Sequence, residues 1–455
     1  MHLLKQCSRK RLRSPISALR LFFAVFCVLV ITVAAGQEQQ KLSNFERGRT
    51  VDMLHTIAND VRKHYYDPTY HGVDWDESVR SAEQRIEAAT SLNHALSEIA
   101  AALDVLNDSH TFFLPPSRPY KHDYGWQIEM VGGKCFVMQV RPQSDAETKQ
   151  VKRGDQILGI NGFQPSRENL WRMNYVFDIL RPQVGLRVSL VSPNGQPREV
   201  EVMAAMRQTK KVANLTVING SDIWDIISER ETLAHLGRVR WEEAGNEVAI
   251  LKFPGFHFDE APIDEMINKA RKYKAWIVDL RGNPGGSVET LKWFLGGIFD
   301  REVKLGDRIT RDGAKPLVAK SKQQGAYSGK LVVLVDSKSA SAAELFARVV
   351  QLEHRGIILG DQTAGAVMES KRYTYKHGVE TVVFYGASIT DADLVMTDGK
   401  SLEHAGVTPD ELLLPTASDL AKRRDPVLTR AVELCGSKMT PEAAGALFPF
   451  EWPPL

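Results

Sequence analysis

Cysteine is scarce in this chain: four residues in 455, of which Cys7 and Cys27 fall within the first thirty. The remaining pair, Cys135 and Cys435, is too small for a disulfide framework or a cysteine zinc site. They read as two unpaired buried thiols, with a single bridge between them as the alternative. Low-complexity tracts and internal repeats are also lacking, and the composition, 43% hydrophobic and 25% charged, is that of a globular protein. A surplus of one charge is missing as well. The formal charge of +2 comes from six bases and no acid before residue 37, so the remainder carries −4. Nothing in that balance suggests a nucleic-acid partner. A glycine-rich turn exists at 281–287, but it lacks the lysine and hydroxyl of a P-loop and has no GxGxxG spacing, which argues against a phosphate cradle.

The longest apolar run, Leu21 to Ala35, is short for a spanning helix. With basic residues before it and Val33-Ala34-Ala35 at its end, it reads as an export signal cleaved near Ala35 or Gly36. An uncleaved N-terminal anchor is the alternative. Either reading puts the bulk of the protein outside the cytoplasm, in the periplasm or cell envelope, secreted or membrane-anchored.

At 455 residues the chain has room for two to four domains. Val51, Leu54, Ile57 and Val61 recur at helical spacing, and further helical regions follow at about Trp75 to Thr90 and Ser91 to Leu106. Asn107-Asp108-Ser109-His110-Thr111 then places His110 just past a helix end. Residues 119–206 change character: short strand-like runs alternate with glycine turns at Gly132-Gly133, Asn161-Gly162 and Asn194-Gly195. Residues 207–240 form a connector with one helix expected at about Ile223 to Leu236. From Asn246 the pattern is α/β.

The most informative stretch is LVVLVDSKSASAAE, Leu331 to Glu344. A buried-strand pattern breaks through small and polar residues into a helix, which is a suitable mount for a nucleophile. A helix N-terminus offers free N–H groups and a partial positive charge to an oxyanion. Ser341 is the candidate nucleophile, with Ala342 N–H as one oxyanion donor. Helix capping by Ser339 and Ser341 is the simpler reading of the same residues. The loop Arg281-Gly282-Asn283-Pro284-Gly285-Gly286-Ser287 follows a second buried strand and can aim a glycine N–H into the same site.

DLRGNPGG at 279–286, SASAAE at 339–344 and GDQTAG at 360–365 occur in the order and spacing of the tail-specific, or C-terminal processing, serine peptidases. RGDQILGING, within residues 119–206, resembles a PDZ domain of the kind built into bacterial proteases. Together these resemblances imply an α/β fold, with a crotonase-like catalytic core, an N-terminal helical region and an inserted PDZ-like β-rich domain. The expected divisions are 1–36 leader, 37–118 helical region, 119–206 PDZ-like, 207–240 connector, 241–430 catalytic core and 431–455 tail. By the PDZ resemblance, Gly125, Trp126, Gln127 and Ile128 form the loop and strand that take a peptide C-terminus. Trp126 departs from the family pattern there.

Lysine-dependent relatives carry the dyad lysine 25 positions after the serine, which is Ala366 here. The chain is instead similar to the tricorn core protease branch. That resemblance implies His110 as the base, with Ser109 and Glu403 orienting it, and Gly285 and Ala342 as oxyanion donors, with Gly286 the rival of Gly285. Glu369 and Asp398 are the alternative carboxylates, and Lys371 the alternative base. The resemblance implies an exported serine endopeptidase acting on protein or peptide substrates with free C-termini, and no metal or organic cofactor. Two other readings stay open: a catalytically inactive peptidase-fold binding protein, and a hydrolase of small acyl esters.

Overall fold

The computed structural model describes residues 42–208, 236–378 and 382–453. The expected leader and the connector helix at Ile223 to Leu236, save its last residue, lie outside the described residues.

Three helices open the fold: Asn44–His64, Trp75–Ala88 and Leu92–Asp104. Each begins at a side-chain cap, Ser43, Asp74 and Ser91, whose oxygen accepts from the first turn. Leu54, Ile57 and Val61 are buried as their spacing requires, in a cluster that also takes in Phe113, Tyr385, Ala387 and Ile389. The helical region therefore shares its core with the antiparallel sheet behind it. That sheet contains Phe112–Leu114, Val383–Met396, Met368–His377 and the hairpin Val303–Thr310/Gly313–Ala319. The hairpin is absent from the sequence-based expectations, although Asp312-Gly313 is a hairpin turn signal.

The other half is built on a six-stranded sheet. Its order is Glu411–Leu412, Ile357–Gly360, Lys330–Val335, Ala275–Asp279, Val248–Lys252 and Arg240–Glu243, and it is parallel except for the last, antiparallel edge. The two central strands are covered on both faces, which explains their unbroken apolar sequence. Trp276, Val278, Val333 and Val335 face the helices that carry Phe294 and Phe346. Ile277, Val332 and Leu334 face Val427, Leu428 and Val432 on the opposite side. At roughly 1.5–3 kcal/mol for each large apolar side chain, this double burial is the main force holding the sheet. Parallel strands deliver their C-terminal loops to one edge, where ligands bind in folds of this kind. Residues 281–286, 336–341 and 361–366 all leave from that edge.

Between the two halves lies a five-stranded antiparallel sheet formed from Trp126–Val131, Lys134–Val140, Gln156–Ile160, Gly185–Val191 and Arg198–Met203, in that order. The chain enters and leaves it through a paired stem, Tyr120–Asp123 against Ala205–Gln208. Its first hairpin docks on the half built on the six-stranded sheet: Gly132 N–H donates to Asp361 Oδ2 at 2.7 Å, and Ser337 Oγ donates to Met130 O at 2.5 Å. Cys135 and Cys435 are both free.

One buried ion cluster pins the glycine loop to the sheet. Asp279, 1% exposed, accepts from Arg281 Nε at 2.9 Å and Nη2 at 2.8 Å, with Lys252 Nζ at 3.2 Å. These cations hold the carboxyl far below its ordinary range against the opposing effect of burial. Asp279→Asn leaves Arg281 with Asp425 alone, at 3.0 and 2.8 Å, and Lys252 with only the Arg281 carbonyl, so the expected loss is about 1.5–3 kcal/mol. The check is a urea denaturation midpoint. A change of less than about 1 kcal/mol would show that the cluster does not hold the loop.

Candidate active site

Strand Lys330–Val335 ends in a turn that is fixed before the helix begins. Ser339 is fully buried and its hydroxyl donates to Leu280 O at 2.8 Å, which ties the turn to the neighbouring strand. Ala340 N–H donates to Asn283 O at 2.9 Å. Ser341 then stands at the N-terminus of helix Ala342–Leu352 with φ 56° and ψ −119°. A non-glycine residue there costs on the order of 1–3 kcal/mol and persists only where its surroundings impose it. Glu344 imposes it. Its buried carboxylate accepts from Ser341 N–H at 2.9 Å, Thr363 Oγ1 at 2.6 Å, Gly365 N–H at 2.7 Å and Ala366 N–H at 2.9 Å. Burial raises its pKa to about 7 even against those four donors. Ser341 is therefore the N-cap residue, as one reading of the sequence has it, and Glu344, three residues on, is the reciprocal partner that the sequence reading does not name.

The glycine loop lies directly against this turn. A Cβ on Gly285 would fall 2.6 Å from Ser341 Cβ and 2.9 Å from Ala342 N, and one on Gly286 2.2 Å from Phe256 O. Only glycine permits the approach. Gly285 N–H donates to Asn283 Oδ1 at 2.8 Å, so it is already spent. Of the two expected candidates for the first oxyanion donor, Gly285 is thus engaged within its own loop. Gly286 N–H takes no part in the Phe256 pairing, which uses Gly285 O and Ser287 N–H. It is the donor that the loop has to offer, beside Ala342 N–H at the helix end.

The histidine comes from the far side of the sequence. Asp108 Oδ1 accepts from His110 N–H at 2.9 Å, Thr111 N–H at 2.7 Å and Thr390 Oγ1 at 2.6 Å, which fixes the loop. Ser109 N–H donates to Glu403 Oε1 at 2.6 Å, and Ser109 Oγ donates to Glu403 Oε2 at 2.9 Å. His110 Nδ1 lies 2.7 Å from Ser109 Oγ. Since that hydroxyl hydrogen goes to the carboxylate, the network assigns the proton on the ring to Nδ1. Nε2 then keeps its lone pair for a substrate or nucleophile proton. Burial pushes the His110 pKa below its ordinary value, against the pull of Asp108. Burial raises that of Glu403, against the donors Val367 N–H, Ser109 N–H and Ser109 Oγ.

A single peptide unit couples the two arms. The carbonyl of Ala366 accepts from Ser341 N–H at 2.9 Å, and the N–H of Val367 donates to Glu403 Oε2 at 2.8 Å.

Comparison with known proteins agrees with this geometry. The model of peptidase family S41 matches residues 247–413, and that of the tricorn protease C1 domain matches residues 51–99. The chain carries a peptidase family S41 domain. The carboxy-terminal processing protease CtpA of Bacillus subtilis is 25% identical over 418 residues, covering 86% of this chain and 76% of that protein. The tail-specific protease of Haemophilus influenzae is 23% identical over 324 residues, or 67% of this chain. The chain spans only 43% of that protein's length, and 31% of a putative tricorn protease homolog of Streptomyces coelicolor. Among solved structures, mature CPAF superposes with a TM-score of 0.62 at 18% identity, over 83% of this chain and 95% of that one. The photosystem II D1 C-terminal processing protease gives 0.50 at 18%, over 88% and 99%. These likenesses establish a mixed α/β fold of the same kind.

Within the S41 domain the alternative groups are engaged elsewhere. Lys371 is 66% exposed and pairs with Asp391 at 3.0 Å. Glu369 pairs with Arg308 at 2.8 Å and Asp398 with Arg348 at 2.5 Å. Of the expected peptide loop, Trp126, Gln127 and Ile128 line a cavity, but Gly125 does not. Its N–H donates to Asp123 Oδ1 at 2.8 Å, and Ser144 fills the space that a side chain would need. Gly125 turns the chain at φ +74°.

Because burial disfavours the imidazolium, His110 stays neutral to lower pH than an ordinary histidine. The acid limb of kcat/KM is therefore expected to fall only below pH ~6.5. Ser109→Ala, which cuts the link to Glu403, should lower kcat about 10²-fold and move that limb. A limb at or above 6.5, unchanged in Ser109→Ala, would contradict the relay.

Proposed function

We propose that the protein is an exported serine endopeptidase that captures a free C-terminal tail and cuts peptide bonds nearby. Ser341 Oγ attacks the scissile carbonyl while His110 Nε2 takes its proton. The imidazolium that forms is stabilised through Ser109 by Glu403, and the same proton then passes to the leaving amine. Gly286 and Ala342 N–H groups receive the oxyanion. The observation that carries this reading is the unbroken relay Glu403–Ser109–His110, joined through the 366–367 peptide to the strained Ser341 turn.

Tail capture rests on the five-stranded unit, which we read as PDZ-like within a crotonase-like scaffold. Trp126–Val131 is its edge strand, and a cavity of about 290 Å³ separates the strand from helical residues Asn174, Phe177 and Asp178. An edge strand beside a helix is the arrangement that accepts a peptide as an added strand. Export rests on the leader sequence.

A folded reporter with an unstructured apolar tail provides the test, compared with the same reporter amidated at its C-terminus. The expected result is cleavage of both, with KM raised at least tenfold by amidation. Equal KM values would remove tail capture. Turnover of small esters with no cleavage of either reporter would favour the acyl-ester hydrolase.

A further inference from the structure

The groove along Trp126–Val131 is not bounded by the five-stranded unit alone. Trp452 and Pro453, more than three hundred residues further on, form part of its wall. Arg141 brings them there. It is buried, its guanidinium lies 4.4 Å from the centre of the Trp452 ring, and its Nη1 donates to Pro453 O at 3.0 Å. Upstream, Arg240 lies 5.4 Å over the Phe448 ring and donates to Pro449 O at 2.9 Å. Arg238 grips Glu451 with both terminal nitrogens, at 2.8 and 3.1 Å. Phe450 packs edge-on against Trp452 at 5.0 Å.

We propose that Trp452 and Pro453, at the end of the segment Phe448–Pro453, are a built-in occupant of this groove, and that a substrate tail enters by displacing them. The inference rests on the reading of the groove as a peptide site. Three features point to an exchangeable ligand and away from a fixed part of the wall. Beyond Phe448, which packs against the core that includes Val427 and Leu428, the segment is held by arginine side chains and belongs to no strand or helix. Half-exposed ion pairs of this kind are weak and screened by salt. Arg141 also keeps a second partner, Asp123 at 3.1 Å, so release of the tail does not strand a buried charge. Its Nε has no partner and can serve an incoming peptide. The occupant also indicates what the groove prefers: an aromatic residue followed by a carbonyl, set among charges of both signs, Lys121, Arg141 and Lys338 with Asp123 and Asp178.

The test measures binding of a fluorescent peptide with the sequence of residues 448–455 by anisotropy. Full-length protein is compared with Trp452→Ala and with a variant lacking residues 449–455, each checked for an unchanged melting profile. At least tenfold tighter binding in both variants is expected, with the gain lost when Arg141→Gln is added. Affinities equal within twofold would overturn the built-in occupant and leave the groove reading standing. No binding by any variant, together with no effect of reporter amidation, would remove both. A gain that appears only where sedimentation shows dimers would make the occupant a second copy and overturn the intramolecular reading.

Discussion

The site depends on where Glu403 lies. Its carboxylate has little access to water, and burial alone would drive it towards the neutral acid. Three donors keep it in place: Ser109 N–H, Ser109 Oγ and Val367 N–H. Two of them belong to a loop 294 residues earlier in the chain. The third belongs to the peptide whose carbonyl holds the nucleophile turn. One carboxylate thus sets the histidine's tautomer and ties its loop to the peptide that also bonds to Ser341. Removing it would strip partners from three polar groups at once, each costing about 1–3 kcal/mol when left unsatisfied. The geometry of the base and the stability of the junction between halves are therefore the same interaction.

The second constraint is strain at Ser341. Ser341 holds a positive φ of 56° at the edge where the parallel strands end. Four hydrogen bonds to Glu344, the close approach of Gly285 and the locked Ser339 hydroxyl together make that conformation the one available. The helix N-terminus, left with its first N–H unpaired by geometry, is then directed at the same space.

What the sequence made legible follows the length scale of the physics. Buried parallel strands declare themselves by continuous apolar runs, so Leu331–Val335 and Ala275–Leu280 were readable, and with them the loops at their ends. Ser91 as a cap and Gly132-Gly133 as a turn are local rules acting within four residues. Ser109, His110 and Glu403 emerged through resemblance alone, because nothing local says that residues so far apart meet. Glu344, Asn283 and Asp108 were missed for the same reason. Each is a polar residue whose role is to satisfy backbone groups on a distant segment, and such pairings leave no periodicity. Gly285 shows the limit on the other side. A glycine N–H in the right loop was identified, but whether it was free depended on an asparagine two residues before it.

The central claim is that Ser341 is activated by His110 held through Ser109 and Glu403. The direct measurement is the rate at which a fluorophosphonate probe labels the purified protein. Labelling should vanish in Ser341→Ala, fall by about 10²-fold or more in His110→Ala, and stay at the wild-type rate in Lys371→Ala. Labelling that survives His110→Ala and falls in Lys371→Ala, or a folded wild-type protein that does not label at all, would contradict the account.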